Sequence, residues 1–185
     1  MLNRQEALDL VRKYIKNENT IKHCLASEAV MKGLANKLGQ DETKWGIAGL
    51  LHDLDYEQTK DSPQTHGAVT AEILKQLNVD PEIIEAIYMH NEMVPGTKRT
   101  TAMHYALAAG ETITGLITAV ALVYPDKKIA QVKPSSITKR MKEKSFAASV
   151  NRDVIMECTN LDIPLEQFVD ICLTSMKTIA EDLGL

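Results

Sequence analysis

Apolar residues recur at helical spacing along nearly the whole chain, and no run alternates convincingly with period two. A chain patterned this way has faces to bury on helices and none to bury on a sheet, so the fold class is all-α. Composition agrees. Aromatics are only 4% of the 185 residues, and Ala, Leu, Ile and Met carry most of the apolar load. Small or unbranched side chains lose little freedom in a helix.

Punctuation divides the pattern into helices. Asn3 and Glu6 form a capping-box pair for a helix over 3–17, whose apolar positions include Ala7, Leu8, Val11 and Ile15. A second helix spans 20–38, starting at Thr20 and stopping at Gly39. Asp41 caps a third, which runs through Leu51. A polar loop runs from Asp55 to Thr65, then a helix from about His66 to Leu77. Asp80-Pro81 starts another that closes near His90. Pro95-Gly96 marks a turn before a long helix over 100–124, which ends ahead of Pro125. Two final helices occupy about 150–160 and 164–183, the last opening at Pro164 and apolar enough to serve a homodimer. The length suits one domain, 1–185, with its core over about 20–117 and further helices over 118–185.

Several classes are disfavoured. The net charge of −4 gives no support to a binder of nucleic-acid polymers working through bulk charge. No signal-peptide pattern opens the chain. The most apolar stretch, 102–124, contains His104 and Glu111 and reads as a buried helix rather than a membrane span. Cys24, Cys158 and Cys172 are odd in number and widely spaced, which points to a reducing cytoplasm.

The chemistry gathers around five histidines, His23, His52, His66, His90 and His104. An apolar helix delivers His52 and Asp53 side by side at its end. A buried carboxylate without a partner costs several kcal/mol, so a cation is expected beside Asp53. Glu111 repeats the problem inside Ala109-Gly110-Glu111-Thr112-Ile113. Taken alone it pairs with a basic side chain or lies on a wet stripe; with Asp53 and the histidines it argues for a shared metal ion. Imidazole and carboxylate together suit divalent first-row transition metals.

The order His23, then His52-Asp53, then a distant acid on a later helix resembles the HD-domain superfamily of metal-dependent phosphohydrolases. Leu50-Leu51-His52-Asp53-Leu54-Asp55-Tyr56, Thr65-His66-Gly67 and Ile87-Tyr88-Met89-His90-Asn91 are similar to successive blocks of small stand-alone bacterial members. Arg99-Thr100-Thr101-Ala102-Met103, leading into Glu111-Thr112-Ile113-Thr114-Gly115-Leu116-Ile117, continues the likeness. The resemblance implies a helical HD-domain bundle with a metal site between central helices. It implies one metal on His23, His52, Asp53 and Glu111, and a second on His66 and His90 bridged by Asp53. His52 and Asp53 are then the catalytic pair, and one or two ions of Fe, Mn, Co, Ni or Zn the cofactor. One departure stands out: the family's last acid is usually aspartate, and Glu111 is one methylene longer.

The function implied is hydrolysis of a small phosphorylated substrate, such as a nucleotide, by metal-activated water. Asp55, His104 or a metal-coordinated water are the candidates for general acid. Lys60, Lys142, Lys144 and His104 are the candidate substrate contacts, the middle two from a segment, 127–144, holding seven basic residues and one acid. Two other readings use the same residues: a nucleotide-sensing regulatory module with a weakened site, and a di-iron oxygenase of the same family.

Overall fold

The computed structural model describes residues 2–94, 96 and 98–185. Among them no residue is in a strand, and the all-α expectation holds. The order is α1 (Arg4–Tyr14), α2 (Glu18–Leu38), α3 (Glu42–Leu51), α4 (Tyr56–Thr59), α5 (Ala68–Gln76), α6 (Pro81–His90), α7 (Ala102–Val123), α8 (Pro134–Met141), α9 (Arg152–Met156), α10 (Leu165–Lys177) and α11 (Ala180–Leu183). Short 3-10 turns cover Pro63–Thr65, Ile129–Gln131 and Glu157–Leu161.

The caps explain most boundaries. Asn3 and Glu6 close the expected capping box, Asp41 accepts from the Lys44 amide, Asp80 accepts from the Glu82 amide, and Gly39 ends α2 in the left-handed conformation. Four expectations need correction. α2 begins two residues before Thr20, because the Asn17 carboxamide captures the Asn19 and Thr20 amides first. The loop 55–65 is not unstructured; it holds α4 and a 3-10 turn. His66 precedes α5 rather than opening it, since Gly67 takes φ +83° at the cap. The last helix is broken after Lys177 into α10 and α11, and Pro164 caps α10 from outside. The expected turn at Pro95-Gly96 falls partly on Pro95, outside the described residues; Gly96 itself has φ +79°.

α2 packs on α3, α7 and α10, and α7 also touches α6, α8 and α9. Two glycines permit the closest approaches. A Cβ on Gly49 of α3 would lie 2.5 Å from the Ser27 carbonyl oxygen of α2. A Cβ on Gly110 of α7 would lie 3.1 Å from Val30 and 3.3 Å from Leu34. α7 is long and apolar enough to cross a membrane, but 61% of its most apolar window is buried inside this fold. A helix apolar on all sides is what a protein centre requires. The apolar face of α10, with Phe168, Val169, Cys172, Leu173 and Met176, is buried in the same core.

Candidate metal centre

Five elements meet at one place. His23 comes from the second turn of α2; His52 and Asp53 follow the end of α3. His66 is fixed just before α5, His90 closes α6, and Glu111 lies midway along α7. His52 and Asp53 are buried, His90 is 4% exposed, and His23 and Glu111 are partly open to a pocket of about 470 Å³. Asp53 is the hub. Its Oδ1 is 3.1 Å from His66 Nε2, 3.3 Å from His52 Nε2 and 3.9 Å from His90 Nε2, and its Oδ2 is 3.6 Å from His23 Nε2. Glu111 Oε2 lies 3.5 Å from His23 Nε2, so the longer acid reaches the cluster.

The other face of each imidazole is committed. His52 Nδ1 donates to the Gly49 carbonyl at 2.8 Å, and His90 Nδ1 to the Ile87 carbonyl at 2.5 Å. His66 Nδ1 donates to Asp55 Oδ1 at 2.8 Å. His23 Nδ1 is 2.9 Å from the Thr114 hydroxyl, which itself donates to the Glu111 carbonyl and so must accept from the ring. With every Nδ1 a donor, the neutral rings turn Nε2 lone pairs inward. His23 and His52 then face each other at 3.1 Å between Nε2 atoms, and His66 and His90 at 3.0 Å. Two lone pairs at that distance repel unless a cation lies between them. Locked Nδ1 donors behind inward Nε2 acceptors are the usual support of histidine metal ligands. Both His23-His52-Glu111 and His52-Asp53-His90 bring donor atoms within 4.8 Å of one another, so these residues fit a metal.

Electrostatics of the cluster point the same way. Burial pushes His52 and His90 down, His90 to about 4, which keeps both neutral. Burial opposes charge on Asp53 and Glu111 too, yet the surrounding histidines hold both carboxyls below the usual range. His66 is also disfavoured by burial, but its hydrogen bonds to Asp53 and Asp55 raise it to about 10. For His23, the Glu111 hydrogen bond and the Asp53 charge likewise outweigh burial and lift it. The cluster therefore calls for positive charge, and protons supply it where no metal does.

Not every candidate arrives. Lys60 is an exposed residue after α4 and does not line the pocket. Lys142 lines a separate groove with Ser135, Thr138 and Arg152, and Lys144 is exposed away from the pocket wall. His104 is 2% exposed and closes a capping box with Thr101, its Nδ1 receiving the Thr100 and Thr101 amides. Asp55 has both oxygens occupied, by His66 Nδ1 and by the Gly67 and Thr70 amides, and its carboxyl is held below its ordinary range despite burial, so the structure presents it as a partner of His66. The pocket wall instead consists of Asn17, Asn19, Thr20, Tyr56, Asn91 and Glu92. No spacing rule singles these out, because they come from a cap, a short turn and a helix end.

Helices, histidines and carboxylates so arranged define a helical protein with a candidate metal centre. The HD domain family matches residues 20–124, and the chain belongs to that family. Its curated relatives include Ribonuclease Y of Sulfurovum sp. (strain NBC37-1), 25% identical over 74% of this chain and 27% of that protein. Ribonuclease Y of Oleidesulfovibrio alaskensis is 28% identical over 54% of this chain and 18% of its own length. That of Mycoplasma mycoides subsp. mycoides SC is 35% identical over 40% of this chain and 15% of its own length. The matched region thus spans about a quarter or less of these relatives. No solved structure matches the chain significantly. HD-domain proteins are as a class metal-dependent hydrolases, and the His/Asp cluster is where a divalent metal could be held.

Proposed function

We propose that the chain is a metal-dependent phosphohydrolase acting on a nucleotide or another small phosphoester. The convergence of four inward Nε2 atoms on Asp53, each backed by a committed Nδ1, supports this reading most. His23, His52, Asp53 and Glu111 would hold one divalent transition metal (Fe, Mn, Co, Ni or Zn), and His66 and His90 a second beside Asp53. When bound, such a metal supplies a water of lowered pKa as nucleophile and a Lewis acid for the phosphoryl oxygens. The chain's own residues position everything else. Thr114 and Asp55 hold His23 and His66 in the required tautomer. Asn17, Asn19 and Thr20 at the start of α2 offer neutral donors to a substrate in the pocket. A cytoplasmic setting agrees with three buried, unpaired cysteines.

The test is elemental analysis of freshly purified protein, then a phosphoester screen with and without oxygen. One or two equivalents of metal and hydrolysis, both lost in Asp53→Ala, are expected. Stoichiometric metal in that variant would remove Asp53 from the site. Tight nucleotide binding without cleavage would move the reading to a sensing module, and a coloured, oxygen-sensitive protein to a di-iron oxygenase. The Ribonuclease Y relatives favour one second reading within hydrolysis, cleavage of a phosphodiester; matched monoester and diester substrates separate the two.

A further inference from the structure

The pocket in front of the metal-centre residues lacks something that most phosphate sites have. Among the described residues, no Lys or Arg lines it. Beyond the cluster its wall is Asn17, Asn19, Thr20, Tyr56, Asn91 and Glu92. Asn91 is already used, its amide donating to the Pro63 and His66 carbonyls and its oxygen accepting from Met93. Glu92 is exposed at the rim, steadied on one oxygen by Asn151 at 2.9 Å. A chain of phosphates reaching out from the cluster would meet neutral amides and then a carboxylate. Like charges brought together at a binding site cost several kcal/mol. A sugar hydroxyl or exocyclic amine, by contrast, is a donor that Glu92 can accept.

Tyr56 is the second observation. It is 47% exposed, a large aromatic at the mouth of a polar pocket. Its ring meets His66 edge to face, 5.7 Å between centroids at 80°, and its hydroxyl makes no hydrogen bond among the described residues. The turn carrying it is tethered, because Glu57 accepts the Lys16 and Asn17 amides at 2.8 and 2.7 Å. A half-exposed ring on a tethered turn is a platform for a flat heterocycle. The pocket volume of about 470 Å³ is within the range of small-ligand clefts.

We propose that the pocket selects a nucleoside monophosphate, with one phosphoryl group at the cluster, the base on Tyr56 and Glu92 turning away longer phosphate chains. This rests on the phosphohydrolase reading and narrows its substrate. Calorimetry on metal-loaded protein tests it with ligands that cannot be cleaved: methylene-bridged analogues of AMP and ATP, and propylphosphonate as a ligand with no ring. The AMP analogue should bind about tenfold or more tightly than the ATP analogue. Tyr56→Ala should weaken the AMP analogue about tenfold, the scale of one base–aromatic stack, and leave propylphosphonate unchanged. Tyr56→Phe should restore the affinity, and Glu92→Lys should shift preference towards the ATP analogue. Equal or tighter ATP-analogue binding by the unaltered protein overturns the inference. So does an equal effect of Tyr56→Ala on both phosphonates, or no binding of either nucleotide analogue. If these preferences hold while no phosphoester is hydrolysed, the reaction fails and the binding inference stands.

Discussion

Three acids in the interior, Glu28 and Asp53 buried and Glu111 partly so, receive their positive charge in two different ways. Glu28 is 3% exposed and is neutralised by Arg4 at 2.6 Å and Lys32 at 2.5 Å, an ordinary ion-pair network. Asp53 and Glu111 have no such partner among the described residues, only imidazoles. That difference separates a structural acid from a candidate ligand, and it cannot be read from the sequence, where all three occur in apolar helical surroundings. The identity of the cluster was legible because four of five histidines matched family positions. Asp55 and Thr114 were not legible as orienting groups, since that role depends on what lies behind each ring. Asp55→Asn is predicted to lower metal affinity about 10–100-fold, the usual cost of losing such a partner. An amide cannot accept from His66 Nδ1 and also from the Gly67 and Thr70 amides on its other arm. Metal titration of the folded variant checks this. His66 sets a pH dependence. Held near 10 without metal, it carries a proton at neutral pH that a metal must displace. Apparent affinity for the metal at His66 and His90 should therefore rise with pH through the neutral range, with about one proton released from His66 on binding. Calorimetry in buffers of differing ionisation enthalpy measures that proton.

At the level of elements, local signals did most of the work. Asn3, Asp41, Asp80 and Gly39 end helices where short-range rules place them, because a cap needs only its own turn. The errors arose where two candidates competed within a few residues, as with Asn17 and Thr20, or where a helix is interrupted without Gly or Pro, as after Lys177. Interhelix distance was not legible at all. Gly49 shows why: its role is to admit the α2 backbone, which lies far away in sequence. Gly49→Ala would bring a methyl 2.5 Å from the Ser27 carbonyl, and backbone cannot yield as a flexible side chain does. A loss of about 1–3 kcal/mol is expected from overpacking of this kind. Gly49 also accepts the His52 Nδ1 hydrogen bond, so metal content should fall as well. Thermal denaturation with metal analysis reads both. His104→Ala makes the contrasting case. It removes one side of the α7 capping box and should cost about 1 kcal/mol, leaving metal content and turnover unchanged. Changed substrate affinity in a stably folded His104→Ala protein would return His104 to the substrate site.

Across the whole molecule, the candidate ligands come from α2, the end of α3, the approach to α5, the end of α6 and the middle of α7. Helices separated widely in sequence thus present one residue or two each to a common point, while α1, α10 and α11 contribute only to the core around it. α7 joins the two roles, with Ile113, Leu116 and Ile117 buried within two turns of Glu111. A ligand that binds the folded chain and not the unfolded one stabilises it by mass action, about 4 kcal/mol at a thousandfold excess over Kd. Metals held between them by five segments have no counterpart in the unfolded chain, so they should act on the whole fold rather than on one loop. Chelation is therefore predicted to lower the midpoint of thermal unfolding by several degrees in one cooperative step, reversed on adding metal back. Asp53→Ala should abolish the response to metal. A midpoint indifferent to chelation and to added transition metal would show that the cluster is held by its own protons and is not a metal centre.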